Sequence, residues 1–328
     1  MAELVLGVGS SHSPMVTMTG PDWLEWGQRD HKHPMLYTRE GVHITYEQRL
    51  AAVGDTMVAL AEPERCDAGA ERVQAAVNQV AQAIAAARPD IVVIVGDDQD
   101  EQLLADNLPP FLVYWGDSIV NGAIDDLAAL PPLAQHYLPG YKETDGRREY
   151  PVAVDLARHL LGVAADSGFD VAASRRLPNE AEGMGHAFAF PLRRLGVQVP
   201  IVPVMVNTYN PPSQPRAGRC AAFGTMIRQA VDSFPGADRV AVIASGGLSH
   251  FLVEEELDRA VLAALEAGDL GRLTSLPEAT FTAGSSEIKN WITVGAVCHD
   301  RTFRTLDYVP GYRTPAATGT GLAFGLWT

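Results

Sequence analysis

The chain has 328 residues, of which 47% are hydrophobic and 20% are charged, so it is long and apolar enough to bury a large core. Its formal net charge of −15 offers no cationic face to nucleic acid or to an anionic membrane, and we expect neither as a partner. A start without a signal-peptide pattern, and three cysteines without paired spacing, predict a cytoplasmic protein.

Short runs rich in valine and isoleucine recur along the chain and predict buried strands. They lie at residues 4–8, 91–95, 111–115, 201–206 and 240–244. Helical patterns lie between them, and the clearest places Val73, Val77, Val80 and Ile84 on one apolar stripe. This alternation predicts an α/β fold, with a single domain over residues 1–328, a mainly parallel central sheet and helices on both faces.

Two stretches show neither the helical nor the strand periodicity of apolar residues. Residues 20–45 are crowded with tryptophan and histidine, and we interpret them as a long ordered loop that covers a site, since loops of this length are uncommon without a function. Residues 131–150 are a candidate for a second cover.

Polar residues follow three of the predicted strands, at the edge where sheets of this class carry functional groups. His12 follows the first strand, residues 97–101 (Asp-Asp-Gln-Asp-Glu) follow the second, and His250 follows the strand at 240–244. Each has a structural explanation, because a histidine is commonly satisfied by a backbone carbonyl, and Asp100 and Glu101 suit a solvated turn or a helix cap. Their joint placement favours a site.

Two later segments carry further candidates. His186 follows Gly183-Met184-Gly185 and is suited to acid–base chemistry near neutral pH. The segment 284–291 indicates a helix start with a serine cap, which puts Glu287 in the first turn. Trp291 lies one turn later and suits either the wall of an aromatic site or the core.

Four short motifs occur in an order typical of one enzyme family. They are SHSP at 11–14, GMGHAFAFPL at 183–192, ASGGLSH at 244–250 and GSSEIKNW at 284–291. Together they resemble the class III extradiol ring-cleavage dioxygenases, with the order and spacing of the protocatechuate 4,5-dioxygenase beta subunit. The GDDQ segment and the longer N-terminal loop are more similar to the gallate and methylgallate branch. The resemblance covers residues 4–325, with a poor match over 20–71.

The resemblance implies a ferrous ion held by two histidines and a glutamate, with an open face for a diol and dioxygen. It assigns His12 and Glu287 as ligands and puts Gln99 in the place of the second histidine. Because an amide oxygen binds iron less well than imidazole, other third ligands stay open. These are Asp98 and the loop histidines His31, His33 and His43.

The resemblance also implies catalytic roles. His186 takes a proton from the substrate hydroxyl and returns it, and His250 bonds to the substrate or to the residues around it. We expect Trp291, Ser249 and Tyr312 to bind substrate, with Trp115 as a further aromatic candidate. An anionic phenolic acid needs a local cation, for which Arg313 and Lys289 are candidates.

The hypothesis is therefore a non-haem Fe²⁺-dependent extradiol dioxygenase that opens a small catecholic or gallate-like phenolic acid with O₂. One alternative is a metal-dependent hydrolase that uses His12, Asp97 and Asp98. Another is a non-catalytic binding member of the same fold. A cover supplied within the chain predicts a homo-oligomer, although the family resembled here includes enzymes that pair with a small alpha-type subunit.

Overall fold

The computed structural model describes residues 1–236 and 238–328, with the side chains of all of these except 55–58. The strands are β1 (Glu3–Ser10), β2 (Ile91–Gly96), β3 (Phe111–Tyr114), β4 (Ser118–Asn121), β5 (Arg148–Pro151), β6 (Ala172–Ser174), β7 (Ile201–Val206), β8 (Arg239–Ser245), β9 (His250–Leu252), β10 (Phe303–Tyr312) and β11 (Thr318–Trp327). The helices are α1 (Gly20–Gly27), α2 (Tyr46–Val53), α3 (Pro63–Ala87), α4 (Pro132–Tyr137), α5 (Val154–Asp166), α6 (His186–Arg194), α7 (Ala217–Ser233), α8 (Glu255–Glu266), α9 (Leu270–Thr274) and α10 (Ile288–Val297).

One large sheet organises the chain. Its order is β10-β11-β1-β8-β2-β7-β3-β6, β9 pairs with β11, and β4 and β5 form a separate two-stranded sheet. The middle strands β1, β8, β2 and β7 are mutually parallel, whereas β11 and β3 flank them in antiparallel pairings. The predicted α/β fold with a mainly parallel central sheet is confirmed.

Helices cover both faces of this sheet, and alternate residues of β2 show how. Val93 and Val95 point into the cluster that contains residues of α5, α7 and α10, and Val92 and Ile94 point into the cluster that contains α3 and α6. All four are fully buried, as expected for a parallel strand covered on both sides. Helix α3 carries the predicted apolar stripe and ends at Arg88, which takes a left-handed conformation.

Two local predictions are corrected, and one element was missed. Residues 20–45 are not all loop, because they begin with α1. Thr19 and Asp22 cap the N-terminus of this helix with reciprocal hydrogen bonds. Residues 131–150 likewise include α4 and most of β5. The long antiparallel pair β10–β11 was not predicted, since its glycine-rich second strand lacks a valine and isoleucine run.

The helices were also compared with the length and hydropathy that a bilayer requires. Among residues 1–236 and 238–328, no helix is both long enough and apolar enough to cross a membrane.

Candidate metal centre

The site lies where three neighbouring parallel strands end. In the sheet, β8 lies between β1 and β2, so the carboxyl ends of the three strands meet at one edge. His12 follows β1, Asp97 directly follows β2, and the segment 246–250 follows β8. The candidates that the sequence predicted at the strand ends therefore lie at one edge of the sheet.

His12 presents one ring nitrogen to this place. The Ser245 hydroxyl donates to the Ala187 carbonyl at 2.6 Å, so its oxygen accepts the Nδ1 hydrogen of His12 at 2.9 Å. The proton is thereby fixed on Nδ1, and the lone pair of Nε2 faces the cluster. Tyr141 also fixes the backbone of His12, because its hydroxyl donates to the His12 carbonyl at 2.6 Å.

Two buried carboxylates face that lone pair. Glu287 Oε2 lies 3.4 Å and Asp97 Oδ1 lies 4.0 Å from His12 Nε2, and both acids are almost fully buried. Burial raises the pKa of Asp97, and the neighbouring Glu287 raises it further. For Glu287, burial acts in the same direction, but the positive charge that His250 and His12 carry whenever their Nε2 atoms are protonated outweighs it and lowers the pKa below its usual value.

Gln99 reaches the cluster as a hydrogen-bond donor. Its amide nitrogen lies 3.1 Å from Asp97 Oδ2 and 3.0 Å from Glu287 Oε1. The amide orientation follows from these partners, because only the nitrogen side can donate to two carboxylates. Gln99 thus links the two acids with its nitrogen and turns its oxygen away from them.

His186 starts α6 and is held by Glu101. Its Nδ1 lies 2.7 Å from Glu101 Oε2 and its backbone N–H donates to Oε1 at 2.9 Å, so Nε2 points at His12 Nε2, 3.2 Å away. Burial lowers the pKa of His186, but Glu101, Asp97 and Glu287 outweigh it and raise the value to about 10. The imidazolium therefore brings positive charge to the two carboxylates.

His250 faces Glu287 from the other side. Its Nδ1 donates to the Leu248 carbonyl at 3.1 Å, which leaves the Nε2 lone pair 4.0 Å from Glu287 Oε2. Glycines at 247 and 284 pack against the ring so closely that a Cβ at either position would collide with it. The ring is thus fixed by shape as well as by its hydrogen bond.

Glu287 ends a 3₁₀ turn, Ala283–Glu287, that runs directly into α10, whereas the sequence predicted it in the first turn of the helix itself. The predicted serine cap is absent from this helix start, because the Ser285 hydroxyl is engaged by the backbone of His250 instead. Glu287 Oε2 accepts from the Gly247 N–H at 2.6 Å. The carboxylate is therefore fixed by the loop after β8.

Three residues expected to bind substrate have other partners. Ser249 donates to Asp258 at 2.7 Å, the Trp291 indole donates to the Gly246 carbonyl at 2.8 Å within the core, and Tyr312 donates to Glu255 at 2.9 Å. These contacts engage the polar atoms of all three side chains, and their roles in substrate binding stay predictions.

Other candidates also have partners outside the cluster. Asp98 accepts three backbone N–H bonds, from residues 101, 102 and 103, and so shapes the turn. His31 stacks on Tyr46, His33 on Phe251, and His43 bonds to the Pro34 carbonyl. Trp115 lies between Arg158 and Arg175, and Arg313 pairs with Asp30.

Several site residues escaped prediction. Tyr141 carried no signal, and Ser245 lies in the ASGGLSH motif but was not singled out, because the contacts of both residues with His12 depend on the fold. Glu101 was interpreted as a turn or cap residue, and its position four residues after Asp97, within a run of acids, offered the one available hint. Tyr209 was also missed; its phenol is influenced by Glu287 and Asp97, which together with burial raise its pKa.

The donor set fits a divalent cation. Ligand atoms of His12, Asp97 and His186 lie within 4.8 Å of one another, and Glu287 adds a second carboxylate 3.4 Å from His12. A cation with bonds of about 2.1 Å keeps neighbouring ligand atoms about 3 Å apart, close to these spacings. Acceptor atoms that converge in a buried space are otherwise costly, so a cation would stabilise the arrangement.

Fold and site together define an α/β protein with a strand-end centre suited to a cation held by imidazole and carboxylate. A profile of the family described as the catalytic LigB subunit of aromatic ring-opening dioxygenase matches residues 54–322. The chain therefore belongs to this family, and the family resemblance predicted from the four motifs is confirmed.

Curated relatives are similar over part of their length. A 2,3-dihydroxyphenylpropionate/2,3-dihydroxicinnamic acid 1,2-dioxygenase from Comamonas testosteroni is 31% identical over 189 residues, 54% of this chain and 50% of the relative. One of the same name from Azotobacter vinelandii is 30% identical over 166 residues, 49% and 44% of the two chains. A gallate dioxygenase from Pseudomonas putida is 33% identical over 100 residues, 29% and 28%. The chain spans about half the length of the first two relatives.

Proposed function

We propose that this chain is an Fe²⁺-dependent extradiol dioxygenase that opens the ring of a small phenolic acid with O₂. One observation carries the proposal: His12, Asp97 and Glu287 converge while His186 and His250 direct ring nitrogens at the same space. The relatives named as dioxygenases of dihydroxyphenylpropionate and gallate support the reaction class.

His12, Glu287 and Asp97 would hold the iron. Gln99, in the place expected for the third ligand, turns its amide nitrogen toward both carboxylates, and an amide N–H cannot donate a lone pair to a metal. Asp97 offers a carboxylate oxygen 4.0 Å from His12 Nε2 instead. In this proposal Gln99 orients Asp97 and Glu287, as outer hydrogen bonds commonly do for metal ligands.

When bound, the iron would bring the diol oxygens and dioxygen together, which is the chemistry that non-haem iron supplies in oxygenases. The chain's own residues then manage protons. Glu101 holds the Nδ1 hydrogen of His186 and points Nε2 at the cluster. Asp97 and Glu287, two of the three carboxylates that keep Nε2 protonated, would be neutralised by the cation they hold, so that this nitrogen would be free to take the proton of a substrate hydroxyl. The same nitrogen returns the proton to the opened product.

His250 would position the diol. Its Nδ1 hydrogen is committed to the Leu248 carbonyl, so Nε2 accepts rather than donates and suits the second substrate hydroxyl. The two glycines that pack against this ring leave no room for it to rotate. A fixed acceptor keeps the diol in one orientation relative to His186.

The test is oxygen uptake by anaerobically iron-loaded protein with catechol, protocatechuate, gallate, methylgallate and 2,3-dihydroxyphenylpropionate. Uptake with a yellow ring-opened product, lost in Glu287→Ala, is the expected result. Oxygen-independent turnover with zinc or magnesium would favour the hydrolase alternative, and absence of both iron binding and turnover would favour the binding protein.

We further propose that residues 20–45 supply a cover within the chain. The Met35 thioether accepts a hydrogen bond from the Tyr209 hydroxyl, and His33 packs on Phe251, next to His250. Such a cover would allow a homo-oligomer without a small alpha-type subunit. Native mass spectrometry of the active enzyme tests this, since activity that appears only with a second polypeptide would contradict it. The cytoplasmic location stays a prediction.

A further inference from the structure

A groove of about 380 Å³ is lined by residues that neighbour the cluster residues in the chain. Its wall includes Ala283 and Lys289, which flank Glu287 in sequence, and Tyr209, whose phenol is influenced electrostatically by Glu287 and Asp97. The groove therefore adjoins the proposed position of the diol. The residues that give it chemical character are Tyr37, Tyr209, Arg216, Glu278, Phe281 and Lys289.

Two cations and one carboxylate line the groove. Lys289 is 2% exposed, and its Nζ lies 3.1 Å from Glu278 Oε2. Glu278 Oε1 accepts the N–H of Ala217 at 2.8 Å, which ties this pair to the start of α7. Arg216 directly precedes α7 and is exposed. The groove is therefore net positive in a chain whose formal charge is −15.

Tyr209 adds a poorly satisfied donor. Its hydroxyl donates to the Met35 thioether at 3.4 Å, and a thioether is a weak acceptor. Burial, together with Glu287 and Asp97, raises the pKa of Tyr209, so the phenol keeps its hydrogen at neutral pH. An oxyanion in the groove would offer this hydrogen a stronger acceptor.

We propose that the groove binds the carboxylate of a substrate that carries its acid on a short side chain, with the diol at the cluster. Arg216 and Lys289 attract the carboxylate, Tyr209 donates to it, and Phe281 and Tyr37 pack against the side chain. The inference rests on the proposed function and narrows its substrate to side-chain acids of catechols, such as 2,3-dihydroxyphenylpropionate, rather than unsubstituted catechol.

The experiment compares 2,3-dihydroxyphenylpropionate with its uncharged methyl ester, in oxygen uptake and in anaerobic calorimetric binding to the iron-loaded protein. Arg216→Gln should weaken binding and raise KM for the acid about 10-fold, the size expected for one lost charge-assisted hydrogen bond, while the ester is unchanged. Arg216→Glu should act in the same direction and more strongly. Glu278→Gln should tighten binding of the acid, because Lys289 loses its competing partner.

Arg272→Gln is the matched control, since Arg272 is exposed on α9 and its removal changes the net charge equally. Equal effects on acid and ester, an effect of Arg272→Gln as large as that of Arg216→Gln, or wild-type protein that binds the acid no better than the ester would each overturn the groove assignment. Selective binding without oxygen uptake would support the groove and contradict the dioxygenase instead.

Discussion

Two buried pairs of charged side chains in this molecule differ in how their charge is balanced. Arg313 and Asp30 are both nearly inaccessible, and two N–O contacts of 3.0 and 3.2 Å join the guanidinium to the carboxylate. Asp97 and Glu287 are equally buried, but they share an amide donor from Gln99 and face the acceptor nitrogen of His12. The first pair is balanced one-to-one within the chain, whereas the two carboxylates of the second share the positive charge of His186, and we propose that a bound cation balances the remainder.

Removal of Glu287 should have the largest effect. Glu287→Ala takes away a charged ligand, and we expect iron to be lost and kcat/KM to fall by about 1,000-fold or more. The apo protein should remain folded, because one of two crowded carboxylates is gone. Metal analysis with steady-state oxygen uptake measures this, and an Ala variant that retains stoichiometric iron would contradict the assignment.

Removal of Arg313 should damage stability rather than chemistry. Arg313→Met leaves Asp30 buried without a partner, which should lower the free energy of unfolding by about 3–5 kcal/mol. The matched double variant Asp30→Leu/Arg313→Met should regain most of this loss. Urea unfolding gives the stability, and iron content per folded molecule should not change. A single variant as stable as the wild type would remove the contrast between the two groups.

Replacement of Glu101 should slow catalysis without loss of metal. Glu101→Gln weakens the hold on His186, and we expect kcat to fall about 30-fold with iron content retained. Asp100→Asn is the control, because Asp100 lies next in the chain and contacts Asn210 instead of His186. If both variants had the same kcat as the wild type, Glu101 would have no role in positioning His186.

Asp258 is a further buried acid, and its side-chain partners Ser249 and Tyr308 are neutral, so its replacement should change how stability depends on pH. Burial raises its pKa to about 7, although Ser249 and Tyr308 donate to it. Because the folded state then holds a proton that the unfolded state releases, stability should fall as pH rises from about 4 to about 7, by up to about 1.4 kcal/mol per pH unit. Asp258→Asn should flatten this slope in urea unfolding; parallel profiles would show that Asp258 does not titrate in this range.

The sequence predicts the central sheet because buried parallel strands are continuous apolar runs, as at Ile201–Val206. It does not predict β11, where Gly319, Gly321 and Gly325 interrupt the pattern. Gly321 shows why such residues are required, since a Cβ there would collide with the Asp258 carboxylate. That reason lies in packing between distant segments and cannot be read locally.

The same division holds for the site. His12 and His250 could be predicted because each follows a strand, and Glu287 could be predicted from its motif. Tyr141 contacts His12 from 129 residues away, and no local pattern marks it. The prediction for Ser249 rests on its motif alone, and that motif does not indicate that the Ser249 hydroxyl donates to Asp258.

The most direct test of the central claim is ring opening of 2,3-dihydroxyphenylpropionate by the iron-loaded protein under ¹⁸O₂, with the product analysed by mass spectrometry. The account predicts that both oxygen atoms of one O₂ enter each opened ring. A product without ¹⁸O, or an unreacted diol beside protein with stoichiometric iron, would contradict it.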